Sequence, residues 1–161
     1  MTNADAIANQ PITSEQVINN LVEEATSSHI DVIQTVIASL EQDNSAMVSH
    51  TDSNYLWKFK YGSVEVFVQL TGLTDEDTIA VWAKVLNLPT KNDAGLMRKL
   101  LEMNWTNTFE ACFGIDKEQV VVLSSRTLAE LSPGEISRII TIVATIADDN
   151  DEALQAEFGA A

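Results

Sequence analysis

The sequence predicts an α+β fold in which helices pack on a mostly antiparallel five-stranded sheet, in the element order α-β-β-β-α-β-β-α. Three observations support this prediction. Apolar residues repeat at helical spacing near both ends of the chain, they alternate with polar residues in the middle, and short turn sequences separate consecutive strands. Strands joined by short turns pair antiparallel, because a parallel connection needs a crossover of about a dozen residues or more.

The N-terminal region predicts a tail followed by an additional helix. Residues 1–12 are small and polar. Thr13 and Gln16 have the spacing of a capping box, and apolar residues then repeat at helical spacing as far as Ala25. We therefore expect a flexible N-terminal tail over residues 1–12 and an extra N-terminal helix over residues 13–27.

A second helix is expected to begin the main α+β domain, which we place at residues 28–161. The Thr and Ser residues at positions 26–28 favour a helix break and a new N-cap. Apolar residues from Ile30 to Leu40 then form a stripe at helical spacing, although Val and Ile are indifferent helix formers.

A first hairpin is indicated by a change to period-two alternation. Aromatic and basic residues alternate over residues 56–60, and one face is wholly aliphatic over residues 64–70. The pair at residues 61–62 is short enough for a tight turn. That turn would place Lys58 opposite Glu65, with both side chains pointing away from the aliphatic face.

The surroundings of this hairpin predict a loop, a strand and a helix. A polar loop at residues 43–54 precedes it, and a third strand at residues 79–85 follows it and ends near Pro89. Asn92 can cap a helix that reaches about Asn104. The apolar side chains of this helix are Leu96, Leu100 and Met103 along one side, with Met97 and Leu101 beside them.

A second hairpin is predicted between residues 109–115 and residues 120–123. Alternation in these segments places Val121 and Leu123 on the same side of the sheet, with Cys112.

The last helix has the clearest start signal in the chain. Ser132 is suited to the N-cap, Pro133 to the first helical position, and Glu135 completes a capping box. The acidic run at residues 148–152 is unfavourable at a helix C-terminus and favourable at an N-terminus. We therefore expect a break there and a short final helix that reaches Phe158.

One face of the predicted sheet carries a mixed set of side chains. If the aliphatic residues of the first three strands pack under the helices, Phe67 and Trp82 point to the opposite face, where Val121 and Leu123 join them. Exposed apolar patches of this kind mark interaction sites. These four residues are the candidate partner-binding or dimer-binding site, and the alternative is that a terminal helix covers them.

The charge distribution limits the classes of partner. The formal net charge is −15, and residues 1–57 and 139–161 contain no Lys or Arg. Such a chain repels phosphate backbones and anionic lipid, so we expect no nucleic-acid and no membrane partner. The acidity suits either solubility or attraction to a basic protein. One cysteine and no recognisable signal or membrane-spanning run lead us to expect a cytoplasmic protein.

The sequence shows none of the common catalytic patterns. His29, His50 and Cys112 are too far apart in sequence to form a zinc motif. Cys112 lies within an apparent strand without a basic neighbour, which favours a packed thiol over a nucleophile. The glycines are scattered singly and form no phosphate-binding loop. We therefore expect no enzyme activity, no catalytic residues, no cofactor and no metal.

Three segments, residues 55–70, 96–104 and 131–138, resemble the cyanobacterial branch of the YbjN-domain proteins. The resemblance extends over roughly residues 28–158 and leaves residues 1–27 as an addition. It implies a fold similar to that of type III secretion chaperones, commonly dimeric. Family members are described as sensory-transduction or stress-response regulators of undefined biochemical activity. The resemblance supplies no catalytic residues.

The leading hypothesis is a non-enzymatic protein-binding module, a homodimeric chaperone-like adaptor with an unidentified protein partner. The first alternative is a small-molecule sensor or uncharacterised enzyme with a pocket between helices and sheet. A structural subunit of a larger assembly is the third hypothesis, and the sequence does not separate it from the first.

Overall fold

The computed structural model of the protein describes residues 13–160, apart from the side chains of residues 19–28. The elements within it are α1 (Ser14–Leu40), β1 (Met47–Thr51), β2 (Asn54–Tyr61), β3 (Val64–Leu70), β4 (Thr78–Asn87), α2 (Asp93–Thr106), β5 (Cys112–Asp116), β6 (Gln119–Thr127) and α3 (Pro133–Phe158). The strands form one antiparallel sheet in the order β1-β2-β3-β4-β6-β5. The tail predicted for residues 1–12 lies outside the described residues.

The α+β class and the antiparallel sheet are confirmed, but the sheet has six strands rather than five. The additional strand, β1, lies within the loop predicted at residues 43–54 and pairs with β2, with Val48 beside Trp57. All residues of β1 are exposed, so no alternation of buried and exposed residues marks it. Its geometry comes from pairing with β2, which a pattern of residues within the strand does not encode.

A single helix replaces the two that were predicted before the sheet. Helix α1 continues through residues 26–28, so the predicted break there is wrong, whereas the predicted capping box at Thr13 is confirmed. Ser and Thr each cost less than about 0.7 kcal/mol in a helix interior. That cost is too small to end a helix whose later turns bury Ile33 and Ile37. The boundary between an extra N-terminal helix and the main domain stays a prediction.

The first hairpin has a different register from the predicted one. Its turn consists of residues 62–63 rather than residues 61–62, and Lys58 lies beside Phe67 instead of Glu65. A partner shift of two residues keeps every side chain on its predicted face, since side chains alternate with period two. Lys58 Nζ still reaches Glu65 Oε1 diagonally, at 2.5 Å.

The last helix also continues where a break was predicted. Helix α3 runs through the acidic residues 148–152 without interruption. Asp148 and Asp151 accept hydrogen bonds from the turn between β2 and β3, which gives these carboxylates partners outside their own helix. Leu154 and Phe158 continue the buried stripe of the helix, so burial favours its extension.

Two predicted helix starts are confirmed in detail. Ser132 and Glu135 form the capping box of α3. At the start of α2, the Asn92 side chain accepts a 3.0 Å hydrogen bond from the backbone N–H of Gly95. Both caps satisfy N–H groups that the first turn of a helix leaves unpaired.

The core lies between one face of the sheet and the helices. The strand residues predicted to pack under the helices are all buried, namely Val64, Val66, Val68, Ile79, Val81 and Val85. Helix α3 contacts β3, β4 and β6, and it also contacts α1. The opposite side of the sheet, which carries Phe67 and Trp82, is called the open face below.

Helix α2 is fixed at the β5 edge of the sheet. Its side chains Leu96 and Leu100 are buried. The Asn104 amide bonds to the backbone of Phe113 in β5, accepting from its N–H at 2.7 Å and donating to its carbonyl at 3.2 Å. Both hydrogen bonds use backbone groups of an edge strand, so they fix the position of the end of α2 relative to the sheet.

Candidate functional site

A pair of stacked aromatic rings lies at the centre of the open face. Phe67 in β3 is directly beside Trp82 in β4, and Leu123 in β6 is the next residue in the same cross-strand row. The Phe67 and Trp82 rings are 5.3 Å apart between centroids and inclined by only 8°. Such cross-strand aromatic pairs stabilise a sheet and also form a broad apolar surface.

Two lysines flank the Phe67 ring. The Nζ atoms of Lys58 and Lys84 lie 5.8 Å and 5.2 Å from its centroid, within the range of a cation–π interaction. Lys58 also pairs with Glu65. Among the described residues, no carboxylate lies within 4.0 Å of Lys84 Nζ. The aromatic pair is therefore accompanied by a positive charge that has no carboxylate partner in residues 13–160.

The β6 side of the open face forms a shallow depression of about 310 Å³ beside Trp82. Val121 and Leu123 line it. A Cβ atom on Gly114 would lie 2.7 Å from Leu123 Cδ2, so the absence of a side chain at Gly114 gives Leu123 its room. Val121 is only 3% exposed and belongs to the floor of the depression, while Leu123 is half-buried.

The four predicted residues thus share one face, and no helix of residues 13–160 covers it. Phe67, Trp82 and Leu123 are all partly exposed, whereas the core side of the same strands is fully buried. Helices α1 and α3 pack on that core side. Covering by a terminal helix, the alternative considered from the sequence, does not apply to α1 or α3. A binding role for the four residues stays a prediction.

A second apolar surface was not predicted from the sequence. On α2, Leu101 is 70% exposed and Trp105 is 90% exposed, and Phe109 in the following turn is also 90% exposed. A shallow groove runs along this exposed side of α2, and its lining includes Ala94, Arg98, Leu101, Glu102 and Trp105. The spacing of four residues between Leu101 and Trp105 indicates a second apolar side of the helix. From the sequence alone, Leu101 was instead placed beside the buried leucines.

The residues considered for metal or nucleophile chemistry remain apart. His29 lies in α1, His50 stacks on Tyr55 with centroids 4.1 Å apart, and Cys112 is half-buried beside Leu123. Within the described part of the chain, no three His, Cys, Asp or Glu side chains group as metal ligands. None of the helices described is both long enough and apolar enough to cross a membrane.

Among the carboxyl groups of the described residues, three have a lowered pKa, and each has a structural cause. Hydrogen bonds from the Thr74 side chain and backbone lower the pKa of Asp77. Hydrogen bonds from Thr90 lower the pKa of Asp93 in the same way. The pKa of Glu135 is lowered by Ser132 of its capping box, and then by Arg126. Asp77 lies in the connection between β3 and β4, and Asp93 and Glu135 lie in the first turns of α2 and α3.

The fold is similar to that of a protein solved in a complex. The structure described as "Crystal Structure of the ExsC-ExsE Complex" matches with a TM-score of 0.51 and 16% sequence identity, over 80% of this chain and 95% of the other. This likeness is one of fold, and it confirms the type III secretion chaperone-like architecture expected from the sequence. No curated protein matches the sequence.

The family resemblance of the sequence is confirmed as well. The model of the YbjN family, described as "Putative bacterial sensory transduction regulator", matches residues 29–156. That match covers most of the chain, including all of the sheet and α3 almost to its end. The protein therefore belongs to the YbjN family.

Proposed function

We propose that the protein is a non-enzymatic protein-binding module, a chaperone-like adaptor in a regulatory system, and that it binds its partner on the open face. The observation that supports this proposal is the stacked pair of Phe67 and Trp82, which α1 and α3 leave uncovered. Large aromatic side chains are frequent hot spots of protein interfaces, because they bury much area at a small entropic cost.

The charges around the pair indicate what kind of segment would bind. A partner side chain lying on Phe67 and Trp82 would be apolar or aromatic. A carboxylate next to it would meet Lys84, which has no carboxylate partner among residues 13–160. A desolvated ion pair of this kind contributes to the specificity of binding and to its orientation. We therefore propose a partner segment that combines apolar and acidic residues.

The proposed partner chemistry differs from the expectation based on total charge. A net charge of −15 favours a basic partner when only composition is considered. On the open face, however, the Nζ atoms of Lys58 and Lys84 both lie beside the Phe67 ring, and within the described residues Glu65 supplies the only carboxylate paired with either lysine. A basic partner would therefore meet lysines at this surface, and acidic residues elsewhere on the protein.

The proposal includes a homodimer that acts in the cytoplasm. The fold similarity supports a protein-binding role, since the ExsC-ExsE structure is itself a complex of two proteins. The single cysteine fits a reducing compartment.

The test compares Trp82→Asp with the wild type in partner capture. The full chain is immobilised, and proteins retained from the host extract are quantified by mass spectrometry. We expect the retained amount of a reproducibly captured partner to fall by more than about tenfold, as for a hot spot contributing about 2 kcal/mol. Lys84→Glu should weaken the same partner. Trp105→Asp, an equally drastic change of an exposed tryptophan on α2, is the matched control and should retain it.

Two outcomes would count against the proposal. If Trp82→Asp loses its far-UV circular dichroism spectrum, Trp82 is a core residue and the binding face loses its main support. If the folded variant retains the same proteins as the wild type, the partner binds elsewhere.

The small-molecule alternative requires space between the helices and the sheet. Val66, Val81 and Ile140 are fully buried in that layer. Native mass spectrometry of the purified protein tests this alternative, because a ligand retained in the layer would add a defined mass to the chain.

A further inference from the structure

One cross-strand row of side chains runs over the whole open face. It takes one residue from each strand, in the order Met47, Lys58, Phe67, Trp82, Leu123 and Cys112. The last four are apolar and partly exposed, and they are called the apolar row below. Three steps between neighbouring strands, each of about 4.8 Å, make the apolar row about 14 Å long. The exposed apolar surface therefore runs across the strands.

The rows on the two sides of the apolar row differ in charge. On one side, Lys84 in β4 and Glu65 in β3 occupy the next open-face positions. Glu65 pairs with Lys58, whereas Lys84 has no carboxylate within 4.0 Å in the part of the chain that the structure describes. The other side carries uncharged residues, namely Gln69, Ala80 and Ser125. A segment lying along the apolar row therefore meets a positive charge on one flank only.

The strands under the apolar row have no free edges. Strands β3, β4 and β6 each pair with a neighbour on both sides. An extended segment lying on this face would leave its own N–H and C=O groups without partners against apolar side chains, which is unfavourable. An α-helix satisfies these groups internally, because each N–H bonds to the carbonyl four residues earlier. The surface therefore favours a helical segment.

We propose that the partner segment on the open face is an amphipathic α-helix that lies along the apolar row, across the strands. This assignment rests on the proposed binding role of that face. A helix rises about 5.4 Å per turn, so side chains at i, i+4 and i+7 follow one another at nearly the spacing of the strands. The apolar stripe of the helix contacts Phe67, Trp82 and Leu123. Acidic residues on one flank of the helix meet Lys84.

Synthetic peptides of equal length test the kind of segment. The acidic peptide has leucine at i, i+4, i+7 and i+11, glutamate one position after each leucine, and alanine or glutamine elsewhere. The basic peptide has lysine in place of glutamate. The interrupted peptide is the acidic one with proline in place of a central alanine, which breaks the helix.

Fluorescence anisotropy of the labelled peptides measures their binding to the full chain. Salt at about 0.15 M screens the long-range repulsion by the net charge of −15. We expect the acidic peptide to bind with a Kd on the order of 100 µM. The basic and interrupted peptides should bind the open face more than about tenfold more weakly. Only binding that Trp82→Asp abolishes is counted as binding to the open face.

Two substitutions on β6 test the direction of the helix. Leu123 belongs to the apolar row, and Ser125 lies on the same strand and the same face but outside that row. Leu123→Asp should weaken binding of the acidic peptide by more than about tenfold, and Ser125→Asp by less than about twofold. Both variants receive the same charge, so the difference reports the position. Lys84→Glu should weaken the acidic peptide by roughly tenfold and strengthen the basic one.

Circular dichroism checks the folding of each variant, and Lys84→Glu, at a partly exposed side chain, remains informative if an aspartate variant does not fold. No binding of the acidic peptide, or equal binding of the interrupted or basic peptide at the open face, would overturn the proposal. A larger effect of Ser125→Asp than of Leu123→Asp would overturn the direction across the strands. If Trp82→Asp keeps its captured partner, the proposed function itself fails. If that partner is lost while the peptides contradict a helix, only this inference fails.

Discussion

The backbone N–H of Ser63 donates a 2.8 Å hydrogen bond to Oδ1 of Asp148, and the Ser63 hydroxyl donates to the same oxygen at 3.0 Å. The hydroxyl also lies 2.7 Å from Asp151 Oδ2. These contacts join the turn between β2 and β3 to the middle of α3. They explain how an acidic run that would favour a helix break in isolation can remain within a helix.

Gly62→Ala should destabilise the protein by about 1–2 kcal/mol. Gly62 has a φ of +54°, a conformation that glycine adopts more easily than alanine. A Cβ atom at this position would also lie 2.0 Å from Asp148 Oδ1, so it would displace the carboxylate that Ser63 binds. The change is measured as the free energy of unfolding in urea.

Gly134→Ala is the matched control for this substitution. The nearest atom to a Cβ at Gly134 is the Ser132 hydroxyl oxygen at 3.9 Å, which leaves room for the methyl group. Gly134 lies in the first turn of α3, so alanine should be neutral or stabilise the protein by up to about 1 kcal/mol. Equal stability of the two variants would show that the contact between Gly62 and Asp148 has no energetic importance.

The sequence predicted best those parts of the fold that local signals determine. The capping boxes at Thr13 and Ser132 could be predicted because each of these side chains forms its hydrogen bond with a residue only three positions further along the chain. The alternation in β3 and β4 was found because one face of these strands is fully buried. In both cases the residues that cause the structure are close together in the sequence.

The errors occurred where distant residues decide the structure. Strand β1 is exposed along its length and exists through pairing with β2. The continuity of α3 depends on Ser63, which is 85 residues from Asp148 in sequence. On the candidate site, alternation was sufficient to place Phe67 and Trp82 on the same face of the sheet, and the register of β3 and β4 then makes them neighbours. The exposed side of α2 was missed because a helix with two apolar sides resembles one broad buried stripe.

Asn104→Ala should lower the free energy of unfolding by about 1–3 kcal/mol, because it leaves the backbone N–H and carbonyl of Phe113 without their hydrogen-bond partner. The loss should be local, since Asn104 fixes the end of α2 against the edge strand β5. Hydrogen exchange of the amide of Phe113 should therefore accelerate more than exchange in β3. Asn107→Ala, an exposed change at the C-cap of α2, should alter stability by less than about 0.5 kcal/mol. Similar losses for both variants would contradict this role of Asn104.

Leu154→Ala should destabilise the protein by about 2–5 kcal/mol, the range for truncating a buried leucine. Leu154 is almost completely buried, although it lies beyond the point at which the sequence predicted a helix break. The neighbouring residue Gln155 is exposed, so the unfolding free energy of Gln155→Ala should remain within about 0.5 kcal/mol of the wild-type value. Thermal and urea unfolding both report the difference. A small effect of Leu154→Ala would mean that the final turns of α3 are not part of the core.

Glu135 should make the stability of the protein depend on pH in the acidic range. Hydrogen bonds from the Ser132 backbone and hydroxyl, followed by the Arg126 guanidinium, hold the pKa of Glu135 below its ordinary value of 4.5. The unfolded chain therefore binds the proton at a higher pH than the folded protein does. The stabilisation is fully present above the unfolded pKa, and it is lost as the pH falls through the folded pKa.

Glu135→Gln isolates this contribution, because glutamine can still accept the Ser132 hydrogen bonds but carries no charge. The wild type should exceed the variant in unfolding free energy near neutral pH, and the difference should shrink as the pH falls below about 4.5. Arg126→Ala should keep most of the pH dependence, since Ser132 makes the larger contribution to the lowered pKa. Urea unfolding at a series of pH values measures these differences, and a gap between wild type and Glu135→Gln that is constant with pH would contradict the assignment.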